Sequence, residues 1–316
     1  MSSEWNSVAL DSLGVLRARG ADVVSFLQGQ LSNDVRLLGP EYSLLTGYHN
    51  PQGRVIALLR LVQVAPQEVV AILPRELIAS VVERLRKFIL RSKATVGDES
   101  ALWRVSGLIA PATPASAAPP VASALPASPG AVARFAQGFA VRIAESPQRW
   151  LLLAPANDSA PGVAAAGADV LPTAVQSWQR LEVAGGEPQL YAATSEQFVA
   201  QMLNLDVLGA IAFDKGCYTG QEVIARAHFR GRVKRRLQRF VTHRAARLEP
   251  GDGGELADGR TFTVVNAVAL ADGRSEFLAV APLALATGAG AAAAAPAGSA
   301  TRLEAEQLPL AYALPE

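Results

Sequence analysis

Three segments built almost entirely from small residues interrupt the chain, at residues 110–130, 156–168 and 285–300. Alanine, proline, serine and glycine bury little apolar surface, so such segments form loops or linkers and not parts of a core. The hydrophobic core must therefore come from the blocks of larger apolar residues between them. The 316 residues of the chain are enough for two or three domains that each bury a core.

The blocks before residue 155 carry both helix and strand patterns. Residues 20–31 and 75–91 each place apolar side chains on one helical face. Asp22 is expected to cap the first helix, and the apolar face of the second includes Phe88 and Ile89. Strands followed by a helix of this length predict an α+β fold with a mainly antiparallel sheet, including an α+β lobe around residues 42–110. Turn and alternation signals predict strands at 42–49, 54–64, 68–73, 139–144 and 150–154.

Beyond residue 232 the pattern changes to short strands with turn dipeptides between them. The dipeptides are Pro250-Gly251, Asp258-Gly259 and Asp272-Gly273. Several short strands joined by such turns are typical of a small barrel or sandwich. The sequence therefore predicts a C-terminal β-barrel over residues 231–316.

Composition limits the cellular compartments in which the chain is expected and argues against several classes of site. No apolar run reaches the ~18 residues of a membrane span, and the N-terminal segment has acidic residues and no basic flank, unlike a secretory signal. A single cysteine forms no internal disulfide, which favours a reducing, cytoplasmic location. One cysteine and three scattered histidines match no standard zinc spacing, and the chain alone lacks the four thiolates usual for an iron–sulfur cluster. We therefore expect no resident metal and no membrane partner.

The segment Lys215-Gly216-Cys217-Tyr218-Thr219-Gly220-Gln221-Glu222 carries the strongest chemical signal. Thr219 and Glu222 have the spacing of a capping box, which predicts a helix over residues 220–227 with Val223, Ile224 and Ala227 inward. Cys217 would then lie near the positive end of a helix dipole, with Lys215 close by, and both favour the thiolate. The alternatives are that Cys217 is a small buried hydrophobe or that the spacing marks only a helix entry.

A run of nine cations follows, with no acidic residue between Glu222 and Glu249. Such a local cluster in a nearly neutral chain indicates an anionic partner, which would be a folate glutamate tail, a nucleic acid or an acidic protein face. The alternative is a solvated helix and strand edge. The cations are Arg226, Arg230, Arg232, Lys234, Arg235, Arg236, Arg239, Arg244 and Arg247.

Three other clusters are weaker by themselves. Residues 26–34, FLQGQLSND, place amides at a helix end, where they can fix backbone. Residues 47–54 form a turn with a basic end. Trp178 is able to stack on a planar ring, although core packing is the commoner fate of such a residue.

Taken together, these segments resemble the YgfZ family, relatives of the GcvT aminomethyltransferases. The Lys215–Glu222 segment agrees with the family's Lys-Gly-Cys-Tyr-x-Gly-Gln-Glu pattern. Supporting matches are FLQGQLSNDV at 26–35, NPQGRV at 50–55, FVAQMLNLD at 198–206 and ARAHFRGRVKRR at 225–236.

The resemblance implies a three-lobed fold around a central folate channel, with a folate-binding region over 1–230 and a small β-barrel over 231–316. It implies binding of tetrahydrofolate or a one-carbon derivative. It also implies a role in assembling or repairing iron–sulfur proteins, including tRNA-modifying enzymes, so iron–sulfur clients or assembly factors are expected partners. Cys217, with Lys215, maps to the functional thiol site. The residues expected at the folate are Trp178, Gln28, Asn33, Arg54, Tyr218, Gln221, Glu222 and Arg226.

This sequence departs from the wider pattern at two instructive positions. A second tryptophan of the folate site falls on Leu13, and a carboxylate of the aminomethyltransferases falls on Ala184. Loss of a carboxylate near the reacting amine argues against aminomethyl transfer, which stays open as an alternative function. A third possibility is a tRNA-binding module that uses the basic stretch 226–247. At Cys217 the candidate chemistries are transient cluster or persulfide contact, or attack on a folate-borne carbon.

Overall fold

A computed structural model describes residues 5–111, 120–135, 138–157, 172–231, 233–283 and 302–315. The chain divides into two compact units, each assembled from separated parts of the sequence. Unit 1 takes its described residues from Met1–Tyr48, Ala57–Trp178 and Ala210–Thr219. Unit 2 takes them from His49–Ile56, Gln179–Gly209 and Gly220–Glu316. The predicted division at residues 230 and 231 stays a prediction.

The first sheet, whose residues belong mainly to unit 1, has the strand order β3-β4-β5-β2-β6, and its described pairings are antiparallel. Helix α2, Arg75–Arg86, packs against three of these strands, as its apolar spacing predicts. The helix is shorter than predicted, because Leu90 has a left-handed backbone with φ of 40° and Phe88 is 48% exposed. The strands are β2 Leu13–Arg19, β3 Leu44–His49, β4 Val55–Ala65, β5 Glu68–Pro74 and β6 Thr95–Asp98.

The second sheet of unit 1 has the order β1-β7-β10-β9-β8. The strands predicted at residues 139–144 and 150–154 are confirmed as β9 and β10, which pair with each other in an antiparallel hairpin. Trp150 and Leu152 of β10 lie in its core on one face of the sheet. Leu151 and Leu153, which point to the opposite face, are buried as well, so both faces of this strand are covered. The strands are β1 Asn6–Ala9, β7 Trp103–Ile109, β8 Val132–Phe135, β9 Gly138–Glu145 and β10 Gln148–Pro155.

A six-stranded sheet in unit 2 confirms the predicted C-terminal barrel. Its order is β15-β12-β13-β14-β11-β16, so the two edge strands are consecutive in the chain with only Glu304 between them. The sheet therefore curls until it is nearly closed around a core that includes Phe240, Phe262 and Phe277. The strands are β11 Arg235–Thr242, β12 Gly253–Leu256, β13 Thr261–Ala269, β14 Ser275–Pro282, β15 Arg302–Leu303 and β16 Ala305–Leu308.

In the described residues, three further α-helices are α1, Val23–Gln28; α3, Pro172–Gly185; and α4, Gln221–Phe229. The prediction of a helix over residues 20–31 capped by Asp22 is wrong in its length and its cap. The Asp22 carboxylate accepts a hydrogen bond from the Lys93 amide instead of capping α1. Among the described residues, no helix is long and apolar enough to cross a bilayer.

Candidate functional site

Lys215 is a buried ammonium that ties two distant parts of unit 1 together. Its Nζ donates to the backbone carbonyls of Gln28, Leu31 and Asn33 at 2.8, 2.5 and 2.9 Å. An ammonium has three hydrogens, so these three carbonyls engage all of them. Nζ also lies 4.9 Å from the centre of the Tyr218 ring. Lys215 therefore clamps the segment that carries Cys217 onto the loop that follows α1.

The electrostatics of this clamp follow from burial. Desolvation lowers the pKa of Lys215 to about 8, although the negative charge of Asp34 opposes the shift. The Asp34 carboxylate is paired with Arg36 at 2.6 Å, and this pairing holds its pKa at about 2. Burial raises the pKa of Tyr218 to about 12. At pH 7 the site thus contains a protonated lysine, an ionised aspartate and a neutral tyrosine.

The loop after α1 is fixed by its own polar side chains. Ser32 donates to the carbonyl of Ala210 and accepts from the amide of Gly47. Asn33 donates from Nδ2 to the Leu45 carbonyl, while its Oδ1 accepts from the amide of Asp34. Asn33, expected at the folate, therefore has a demonstrable role in holding the backbone that Lys215 grips.

Two glutamines at the end of α1 and in the loop after it each have one side-chain amide atom without a hydrogen-bond partner among the described residues. Oε1 of Gln28 accepts from the amide of Val35, but its Nε2 is buried and reaches no hydrogen-bond partner among the described residues. Its amide lies toward Asp34, whose pKa it helps to lower, without reaching hydrogen-bond geometry. Oε1 of Gln30 is likewise buried without a described partner. Buried polar groups are normally paired, so a donor and an acceptor left open here fit a polar ligand.

Gln30 was not among the predicted folate residues, although it lies inside the 26–34 motif. Alternation of glutamines at 28 and 30 is visible in the sequence, but only the folded loop shows that both amides remain incompletely paired. The donor set fits a pterin, whose ring edge offers one carbonyl acceptor beside two N–H donors. Gln28 and Gln30 are therefore the residues of unit 1 that would hold such a group.

Cys217 is a free, exposed thiol. The neighbouring side chains of Lys215 and Tyr218 point into unit 1 and are buried, so the segment is anchored on both sides of an accessible sulfur. The alternative that Cys217 is a small buried hydrophobe is excluded by this exposure.

Trp178 is a core residue in the structure. It is 1% exposed, and a Cβ added at Gly107 would meet its ring carbons at 2.4 Å. The guanidinium of Arg149 lies 5.3 Å from its ring. The expectation that Trp178 stacks on a folate is therefore corrected to core packing, because neither face of the ring is accessible in this conformation.

The predicted capping box at Thr219 is wrong. Gly220 occupies the N-cap position of α4 with φ of 83°, and no side chain caps the helix. A Cβ at Gly220 would meet the carbonyl oxygen of Asn50 at 2.5 Å, so the turn before β4 approaches too closely for any other residue. Of the residues expected to face inward, Ile224 is buried whereas Val223 is 39% exposed.

The remaining predicted residues lie in unit 2. Arg54 donates from a guanidinium nitrogen to the carbonyl of Gln197, and the Asn50 side chain accepts from the Arg54 amide. Gln221 begins α4, and Glu222, in its first turn, is exposed. Arg226 is exposed in its last turn. The structure thus brings Lys215, Gln28, Asn33 and Tyr218 together in unit 1, while Arg54, Gln221, Glu222 and Arg226 belong to unit 2.

Replacement of Gly220 by alanine is expected to destabilise the protein by about 1–3 kcal/mol, because alanine strains the left-handed backbone and clashes with Asn50. The matched control is Gly216→Ala in the same motif, where an added Cβ meets nothing within 4 Å. Urea unfolding of the two variants measures the difference. Equal stabilities would contradict the steric role of Gly220.

Four of the nine cations of the basic stretch 226–247 form ion pairs in the described structure. Arg236 is buried and paired with Asp206 at 2.9 Å, and Arg239 pairs with the buried Glu276. Pairing therefore neutralises Arg236 and Arg239 in the middle of the stretch, and the anionic partner expected from the cluster stays a prediction. Arg244 and Arg247 lie 3.7 and 2.9 Å from Glu304 and Glu249 respectively. Arg232 lies outside the described residues.

The fold defines the class of protein. The chain superposes on glycine cleavage system aminomethyltransferase T from Bartonella henselae with a TM-score of 0.67 over 88% of this chain and 78% of that one. The two sequences are 14% identical, so this likeness establishes a shared fold. The α+β, aminomethyltransferase T-like fold expected from the sequence is confirmed.

The sequence comparison is more specific. The "tRNA-modifying protein YgfZ" of Enterobacter sp. (strain 638) is 34% identical over 274 residues, covering 84% of this chain and 82% of the relative. The protein of the same name from Escherichia coli O157:H7 (strain EC4115 / EHEC) is 34% identical over 280 residues, with the same coverage. No family model matches the chain. The chain belongs to the YgfZ family, as the Lys215–Glu222 motif indicated.

Proposed function

We propose that this protein acts in tRNA modification as a folate-binding factor whose functional group is the thiol of Cys217. The observation that carries the proposal is the anchored thiol: Cys217 is exposed, while Lys215, two residues away, is fastened to three carbonyls. Accessible thiols on rigid segments are suited to nucleophilic or soft-ligand chemistry. The names of the relatives supply the tRNA context.

The folate part of the proposal rests on the fold and on two amides. Gln28 Nε2 supplies a donor and Gln30 Oε1 an acceptor, and both are buried without a described partner. Together they would bind and orient the amide-like edge of a pterin. Tetrahydrofolate, when bound, supplies a carrier for one-carbon units. Lys215 holds the backbone of residues 28–33 in place, because a shift of this segment would break the hydrogen bonds from its Nζ to the carbonyls of Gln28, Leu31 and Asn33.

The finer part of the proposal concerns the partners. We infer support for assembly or repair of iron–sulfur proteins, including tRNA-modifying enzymes, in the cytoplasm. An exposed cysteine is a soft ligand for iron, so a client protein can contact Cys217 directly. Aminomethyl transfer is not favoured, because Ala184 of α3 supplies no carboxylate.

Calorimetric titration of the full chain with tetrahydrofolate tests the folate assignment. Wild-type protein is expected to bind, and Gln30→Leu to weaken binding about tenfold through loss of one buried hydrogen bond. Gln67→Leu is the control, because Gln67 is exposed in the turn between β4 and β5. Absence of binding by the wild type would overturn the folate assignment, and equal affinities of the two variants would remove Gln30 from the site.

A further inference from the structure

One face of α4 is exposed and combines apolar with cationic side chains. Ile224 is the only fully buried residue of the helix. Val223, Arg226, Phe229 and Arg230 follow at helical spacing on the side away from Ile224, since each residue advances about 100°. We call these four residues the α4 face. The face is exposed, with Val223 at 39% and Phe229 at 68%.

The aromatic residue of this face, Phe229, is largely exposed. Phe229 contacts the ring of His228 edge-on at 4.7 Å, yet two thirds of it faces solvent. A large ring is normally buried, because its transfer from water stabilises the fold. Leaving it exposed between two arginines is energetically reasonable where a planar, negatively charged partner covers it.

The two arginines of the α4 face differ from the four arginines of the basic stretch that form ion pairs, and Lys234 and Arg235 likewise form none in the described structure. Within the part of the chain that the structure describes, Arg226 and Arg230 make no ion pair, whereas Arg236, Arg239 and Arg244 each contact a carboxylate. Glu222 is the one acidic residue on the same side of the helix. Two unpaired guanidinium groups flanking a ring thus give a local excess of positive charge.

We propose that the α4 face binds RNA, with Arg226 and Arg230 on phosphates and Phe229 stacked on an unpaired base. Arginine and phosphate are complementary in charge and geometry, and exposed aromatic rings stack on single-stranded bases. The choice of RNA over an acidic protein face rests on Phe229 and on the proposed function in tRNA modification. An acidic peptide would use the two arginines but would gain little from the ring.

Fluorescence anisotropy with labelled bulk bacterial tRNA, at 50–200 mM salt, tests this assignment on the full chain. Arg226→Gln with Arg230→Gln is expected to weaken binding about 10- to 100-fold and to reduce the salt slope by about 2, since two phosphate contacts are lost. Phe229→Ala is expected to weaken binding about tenfold without changing the slope. The control is Arg244→Gln with Arg247→Gln, which removes the same charge from paired arginines of the same stretch.

Two results would overturn the assignment. One is equal loss of binding in the two double variants, which would indicate general charge attraction. The other is full binding by Phe229→Ala together with equally strong competition by polyglutamate, which would indicate an acidic protein as partner. A Cys217→Ala variant separates this inference from the proposed function, because it should bind tRNA as the wild type does. If that variant also supports full activity in cells, the proposed role of the Cys217 thiol is refuted, whereas the assignment of the α4 face to RNA is not.

Discussion

Cells that lack their own YgfZ-family protein should not be rescued by the Cys217→Ala variant of this chain. The exposed thiol is the only sulfhydryl of the protein, so its removal takes away all thiolate chemistry. Activity is expected to fall to the level of the deletion strain. Levels of a modified tRNA nucleoside, together with growth, measure the effect.

The same variant should fold and bind tetrahydrofolate as the wild type does. Exposed side chains contribute little to stability, and the free energy of unfolding should change by less than about 0.5 kcal/mol. Cys217→Ser is the companion variant, because it keeps the size and polarity of the side chain while losing the thiolate. Rescue by serine but not alanine would show that a hydrogen bond, and not sulfur chemistry, is needed; full rescue by alanine would refute the role of Cys217.

The Lys215→Met variant is expected to lose about 2–4 kcal/mol of unfolding free energy at pH 7. Methionine fills similar space but leaves the carbonyls of Gln28, Leu31 and Asn33 without the buried ammonium that they share. Urea unfolding measures the loss. Lys93→Met is the matched control, since Lys93 is exposed and its replacement should cost less than about 0.5 kcal/mol.

A pH series separates the clamp from simple packing. The pKa of Lys215 is about 8 in the folded state and near its ordinary 10.5 in the unfolded chain. Between these values the unfolded state binds more protons, so this lysine makes the free energy of unfolding rise with pH from 8 toward 10.5. The rise should be present in wild type and absent in Lys215→Met. Parallel pH curves for the two proteins would contradict the burial of a titrating ammonium.

Most of the architecture follows from local patterns. Alternation and turn dipeptides located the β9–β10 hairpin and the strands of the barrel, because those elements depend on neighbouring residues. Helix lengths were less predictable. The apolar period continues to Phe88, but the backbone leaves the helix after Arg86 and reaches a left-handed residue at Leu90.

The sequence predicted which residue types belong to the site around Cys217, but it did not predict the residues with which they form hydrogen bonds. Lys215 was expected beside the thiol as an activating charge, whereas its ammonium grips carbonyls from residues more than 180 positions earlier. Spacing in a sequence carries no information about such long-range contacts. The capping box failed for the same reason: only the approach of Asn50 shows why Gly220, and not Thr219, begins α4.

The basic stretch teaches a related lesson about net charge. Nine cations without a neighbouring acid suggested a binding site for an anionic partner. Their carboxylate partners, Asp206, Glu276 and Glu304, come from outside the stretch, so the count could not reveal which charges remain available. Among the exposed cations without an ion pair, Arg226 and Arg230 lie on the same face of α4 as the ring of Phe229.

The two edges of the barrel-like sheet meet across a single residue, Glu304, between β15 and β16. During synthesis on the ribosome, β11 to β14 emerge well before residues 302–308, and both sides of that sheet then present unpaired backbone groups. One short late segment completes both sides at once. Until that segment leaves the exit tunnel, the nascent domain therefore has two open sheet edges that can pair with other chains. We expect the need for a chaperone to be greatest in this interval.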